Sequence, residues 1–116
     1  KGGMATELVV PSTTIHVVTE ERENPGKIDY AVASLTEPVA VLVHAFRQAG
    51  ETPNFQDYVL ILGAGVIGLL GIVLAAEHGY KKIAISYSYE FQKKAAQDLA
   101  NYLGLNANNG ILLIIS

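Results

Sequence analysis

The chain has no cysteine. That removes disulfides, thiolate zinc sites and cysteine nucleophiles together, and it fits a reducing, cytoplasmic compartment. Charge is scarce as well: charged residues make up 16% of the 116, with a formal balance of −3 and a pI near 5.5. A nucleic-acid partner calls for a basic patch, so that class is set aside. Lys and Arg are scattered, Lys81–Lys82 and Lys93–Lys94 being the only adjacent pairs, and both read as solvated faces. His16, His44 and His78 stand far apart and form no short metal-ligand pair. Neither a secretory signal nor an initiator methionine opens the chain, which starts Lys1-Gly2-Gly3. It is therefore expected to begin partway through a longer protein.

What is present is apolar. Half the residues are hydrophobic, enough for the core of one lean domain and too many for a disordered chain. Val59 to Ala76 forms an 18-residue run without a charged or strongly polar side chain. By length that touches the lower limit for a membrane-spanning helix. Gly63, Gly65, Gly68 and Gly71 interrupt it, each at a cost of about 1 kcal/mol in a helix interior. Flanking aromatic belts are missing, and Glu77, His78, Lys81 and Lys82 follow at once. The run therefore reads as a buried strand, a tight turn and a buried helix.

The rest of the chain punctuates in the same way. Glu7–Val10 and Ile15–Val18 read as short strands parted by Pro11–Thr14, and Thr19–Asp29 as a polar loop. Glu37-Pro38 opens a helix that carries Val39, Val43 and Phe46 at helical spacing and ends at Arg47 and Gly50. A polar turn, Glu51–Gln56, follows. Tyr58–Leu62 then reads as a strand, Val66–His78 as a helix and Lys82–Ser86 as a second strand. A helix from about Tyr89 to Leu103 places Phe91, Ala95, Leu99 and Tyr102 on one face, and Gly104 stops it. After the Asn106–Gly110 turn, Ile111–Ile115 is a third strand. Alternating strands and helices predict an α/β fold: a partial, Rossmann-like parallel sheet of about three strands with right-handed crossovers.

Leu60-Ile61-Leu62-Gly63-Ala64-Gly65-Val66-Ile67-Gly68 is a strand, a GxGxxG pattern and a helix in succession. The glycines alone are a weak signal; their context is what gives them meaning. Gly63 permits a tight turn, Gly65 lets backbone approach a pyrophosphate, and Gly68 lets helix pack on strand. The free N–H groups and positive end of the helix then hold phosphate. The plainer alternative is that these glycines only shape a turn and ease packing. NAD-binding versions carry an acidic residue about 20 positions on, at the end of the next strand. Here Ser86 or Tyr87 falls there, and neither is acidic. Loss of the carboxylate removes repulsion against a ribose 2′-phosphate and leans the choice towards NADP over NAD. No arginine stands ready to grip that phosphate, although Ser86 and Ser88 can donate hydrogen bonds and Lys93 and Lys94 lend charge. Ser86 and Tyr87 can equally be ordinary strand-end residues.

Three stretches together resemble the medium-chain dehydrogenase/reductase family, in its zinc-dependent polyol and threonine dehydrogenase branch. Gly2-Gly3-Met4-Ala5-Thr6-Glu7-Leu8-Val9-Val10-Pro11 is similar to the GGxAEyvvvP segment that closes the family's catalytic domain. Ser34-Leu35-Thr36-Glu37-Pro38-Val39-Ala40-Val41-Leu42-Val43-His44-Ala45 is similar to its EPLAVALHA helix, and the glycine fingerprint follows at the family's spacing. The resemblance implies that residues 1–36 are the tail of a chaperonin-10-like catalytic domain and a linker, and 37–116 a partial dinucleotide-binding domain. It implies a short β segment from that neighbouring domain beside the sheet.

The same resemblance implies reversible alcohol–ketone oxidoreduction in the complete protein, with zinc as Lewis acid and hydride passing to the nicotinamide. Substrates are then small alcohols and ketones, and a homo-oligomer is expected. Gly63, Gly65, Val66, Ile67, Gly68, Ser86 and Tyr87 are the implied cofactor residues, and Glu37 the one metal-site candidate. Glu37 can equally be a helix-start carboxylate favoured by the dipole. His44 reads as a packed or partner-bonded helix residue. The family's main zinc ligands belong to the upstream catalytic domain, so these 116 residues alone are expected to be inactive. No catalytic residue is assigned. A non-catalytic dinucleotide-binding module and a purely structural segment are the competing readings.

Overall fold

A computed structural model of the chain describes residues 3, 5–15, 30–50, 58–105 and 111–116. The loop expected over 19–29 and the polar turns at 51–56 and 106–110 lie outside the described residues. The chain divides into two compact units, Lys1–Ser34 and Leu35–Ser116.

Among the described residues of the first unit a 3-10 turn spans Ser12–Thr14. Thr14 closes it, its hydroxyl donating to the Pro11 carbonyl at 2.7 Å and its backbone N–H to the same oxygen at 3.0 Å. No strand covers Glu7–Val10, where one was expected. Extended backbone becomes a strand only when a neighbour takes up its N–H and C=O groups, and no described neighbour pairs with this stretch. Ile15 is extended but joins no strand either, and 16–18 lie outside the described residues. A one-turn helix, α1 (Tyr30–Ala33), was not foreseen.

The second unit runs α2 (Thr36–Ala49), β1 (Tyr58–Ile61), α3 (Val66–Glu77), β2 (Lys82–Ser86), α4 (Glu90–Tyr102) and β3 (Ile111–Ile115). The strands form one parallel sheet in the order β1-β2-β3, with Tyr58 opposite Lys82 and Lys82 opposite Ile111. This is the expected partial Rossmann-like α/β arrangement. Pro38 sits in the first turn of α2, where its missing N–H costs nothing. The long apolar run splits as anticipated: its helical part, α3, is only 12 residues, and no described helix is long and apolar enough to cross a membrane.

Spacing explains the core. Gly68, Gly71, Ile72 and Ala75 are the buried residues of α3, at i, i+3, i+4 and i+7, which puts them on one helical face. Of these, Ile72 and Ala75 share the core cluster with Ile83 and Ile85 of β2, and Ala64 and Ala96 complete it. Gly71 faces both α2 and β1: a Cβ there would make ordinary van der Waals contact with Leu42 and Ile61. Phe46 of α2 stacks on His78, ring centroids 5.0 Å apart, and His78 Nδ1 lies 2.8 Å from the Leu74 carbonyl.

The face predicted for α4 needs correction. Phe91 is 71% exposed and Tyr102 87%, while Ala96 is fully buried. The inward stripe runs through Gln92, Ala95, Ala96 and Leu99, rotated away from both rings. Ala96 shares the core with Ala75, so small residues face each other there and an aromatic ring would hold the helices apart.

Candidate functional site

The feature with chemistry in it is the turn between β1 and α3. Gly63 has φ +97°, a conformation that side chains beyond glycine rarely adopt. Gly65 is the N-cap of α3 in extended conformation, and its carbonyl accepts the Leu69 N–H at 2.9 Å. Having no side chain, it cannot cap the helix, and no side-chain bond closes this end. The N–H groups of Val66, Ile67 and Gly68 therefore point out of the helix start without intrahelical partners. Space lies in front of them: a Cβ on Gly65 would meet nothing within 4 Å. Gly68 has the opposite environment. A Cβ there would collide with the Gly63 carbonyl oxygen and press on Ile61, so this third glycine holds helix against turn.

Ser86 is drawn into the same place. The Gly63 N–H donates to Ser86 Oγ at 2.9 Å, linking the end of β2 to the glycine turn across 23 positions of sequence. With that lone pair engaged, the hydroxyl proton remains able to donate outward. Tyr87 behaves differently. Its ring packs partly buried against the core, its N–H donates to the Ile115 carbonyl at 3.0 Å, and Lys93 Nζ lies 5.7 Å from its ring centroid. Lys93 also sits 3.8 Å from Glu90, whereas Lys94 is exposed.

A groove of about 910 Å³ runs from this turn along β1. Gly63, Gly65, Val66, Ile67 and Gly68 line one end, and Leu42, Phe46 and Tyr80 the other. Most of it is the flank of β1 that no described strand pairs with, where Tyr58, Leu60 and Leu62 are 71%, 59% and 79% exposed. A sheet edge of that kind presents free backbone groups to any strand. Only the glycine end has the convergent donors that an anionic ligand needs.

Glu37 stands apart from all this, exposed in the first turn of α2. Among the described residues no group of three His, Asp or Glu could hold a metal ion, so Glu37 has no described partner ligand beside it. His44 is exposed on α2 rather than packed. Sequence reasoning missed the Ser86–Gly63 bond, for which no local signal exists. It also missed Gln92, whose Oε1 accepts the N–H groups of Ser88 and Tyr89 at 3.0 and 3.2 Å.

Comparison with curated proteins brings out dehydrogenases and a reductase among its relatives. The chain is 32% identical to a D-xylulose reductase of Scheffersomyces stipitis over 75 residues, 65% of this chain and 20% of that one. It is 32% identical over 100 residues to a D-altritol 5-dehydrogenase of Agrobacterium fabrum, covering 84% of the chain and 28% of the relative. An L-threonine 3-dehydrogenase of Francisella tularensis subsp. novicida is 29% identical over 109 residues, 91% of the chain and 28% of that protein. The chain thus spans less than a third of the length of these relatives. No protein-family model matches it, and no solved structure does.

Proposed function

The chain belongs to the medium-chain dehydrogenase/reductase family, and on that premise we propose that it binds the dinucleotide of an NAD(P)-dependent alcohol or polyol dehydrogenase. The observation that carries the reading is the start of α3: unpartnered amides, no side-chain cap, and open space before Gly65. A pyrophosphate fits such a place because it supplies acceptor oxygens to the free N–H groups and negative charge to the positive helix end. Val66 and Ile67, 63% and 46% exposed, flank it with apolar surface. Ser86 holds Gly63 in place from below.

For the second nucleoside the reading favours NADP over NAD. Ser86 and Tyr87 occupy the strand end where a carboxylate would repel a 2′-phosphate, the Ser86 hydroxyl can donate, and Lys93 brings a cation beside Tyr87. When bound, the nicotinamide supplies a hydride acceptor or donor to an alcohol–ketone pair. In the complete protein Glu37 is the residue we place near a catalytic zinc. The described residues do not by themselves gather a metal site, so no step is derived through the metal. Self-association belongs to the same proposal.

The test is a titration of NADPH and NADH against the protein and its Gly65→Asp variant. Expected is micromolar-range binding, NADPH tighter, that the variant abolishes. Equal binding to both proteins would remove the glycine turn from the site and the reading with it.

A further inference from the structure

We propose that the helix-free face of the sheet is a self-association surface, on which two copies of the chain pack sheet against sheet. This names a surface for the self-association proposed above and does not depend on cofactor binding. Side chains of a strand alternate between its two faces, and the contacts fix which face is which. Ile61 looks towards α3, where a Cβ on Gly68 or Gly71 would meet it. Ile83 and Ile85 are buried with Ile72, Ala75 and Ala96 of the helices, and α2 packs on α3 from the same side. Tyr58, Leu60 and Leu62 therefore project from the opposite face, where they are largely exposed. Register puts Ala84 beside Leu60, and half-exposed Ile115 beside Ser86, on that face. No described helix of this unit covers them. Parallel sheets are ordinarily buried on both faces, so a bare apolar face wants a cover.

Area and charge select a second copy as that cover. Tyr58, Leu60, Leu62 and Ile115 present on the order of 500 Å², above the few hundred Å² at which an apolar patch marks an interaction site. Two such faces in contact bury roughly 1,000 Å², where specific interfaces begin. Among the described residues of the face the one charge is Lys82, whose Nζ already lies 4.5 Å from the Tyr58 ring centroid. Nothing there calls for an acidic partner. A two-fold axis at Leu60 runs the two β1 strands in opposite directions and lays Tyr58 of each copy over Leu62 of the other. It also sends the two Lys82 groups to opposite ends, about four residues of strand or roughly 13 Å apart, beyond a Debye length at physiological salt.

The experiment is sedimentation equilibrium of the full chain and of its Leu60→Lys and Ala84→Lys variants, with folding checked by circular dichroism. Leu60 lies on an edge strand and Ala84 on the middle one, so a loss in both reports the face rather than the edge. Expected is a dimer for the parent and at least tenfold weaker association in each variant. The chain has no cysteine, which allows a second readout. A short bis-maleimide should capture Leu60→Cys as a covalent dimer and leave Lys94→Cys, exposed on α4, monomeric. A dimer that Ala84→Lys leaves intact, or Lys94→Cys captured as readily as Leu60→Cys, overturns this surface while self-association stands. A monomeric parent overturns both, and if Leu60→Cys then also resists maleimide, another part of the same chain is the cover.

Discussion

The two strand-to-helix turns of the sheet have the same topology and opposite finish. After β1 the chain passes through Gly63-Ala64-Gly65 into a helix start that no side chain closes. After β2 it passes through Tyr87-Ser88-Tyr89 into a start whose incoming amides are taken by Gln92. Orphan N–H groups at helix ends are ordinarily satisfied by side chains or water. Neither start has a side-chain cap bond on its own first amides; the first turn differs in its glycines and the open space before Gly65, the second in the Gln92 brace on the two residues that precede its helix. The second turn contributes shape instead: it sends Ser86 to the first turn and its aromatic rings outward.

The comparison breaks most visibly at Gly65. An aspartate there has room, as nothing lies within 4 Å of a Cβ and φ is −83°, so folding should survive. Its carboxylate would face the phosphates, and two like charges about 4 Å apart near a protein surface repel by roughly 4 kcal/mol. Expected is a loss of NADPH affinity on the order of 100-fold or more, read by titration, with an unchanged thermal midpoint. A variant that binds normally would make the bare helix start incidental.

Ser86→Asp sharpens the contrast by altering the link between the turns. Aspartate can still accept the Gly63 N–H, so the turn keeps its support, but a charge now stands where a ribose 2′-phosphate would lie. The ratio of NADPH to NADH affinity should fall about tenfold, since one partly screened repulsion is worth on the order of 1–2 kcal/mol. Both affinities measured in low and moderate salt would show the NADPH penalty shrinking as salt rises. An unchanged ratio would place the ribose elsewhere.

How far this was legible beforehand differs between the two turns. Leu60 to Gly68 announces itself: a short apolar run, two glycines, then apolar residues at helical spacing, all within nine positions. Every element of the sheet unit follows the same local punctuation, and β2 and β3 begin and end where the sequence suggests. The second turn gives no such signal. The Ser86–Gly63 bond joins positions 23 apart, and nothing near either residue encodes the other. On α4, Phe91, Ala95, Leu99 and Tyr102 repeat at helical intervals, yet the helix turns Gln92, Ala95, Ala96 and Leu99 inward instead. Hydrophobicity proposed the face; the room left beside Ala75 decided it. Glu7–Val10 failed differently, having strand-like residues without a described strand to pair with.

The smallest effect is expected at Gln92, and it separates the two turns most cleanly. Replacing it by alanine frees the N–H groups of Ser88 and Tyr89, which then turn to water. Those groups are exposed, so the loss is that of ordinary hydrogen bonds, about 1 kcal/mol of stability, read as a lower urea midpoint at unchanged slope. Inorganic pyrophosphate is the matching probe, because it reaches only the start of α3. Its affinity should stay the same in Gln92→Ala while Gly65→Asp loses it. Were pyrophosphate binding to fall with Gln92, the closed turn would be holding the open one in shape, and the division of labour between them would have to be redrawn through Ser86.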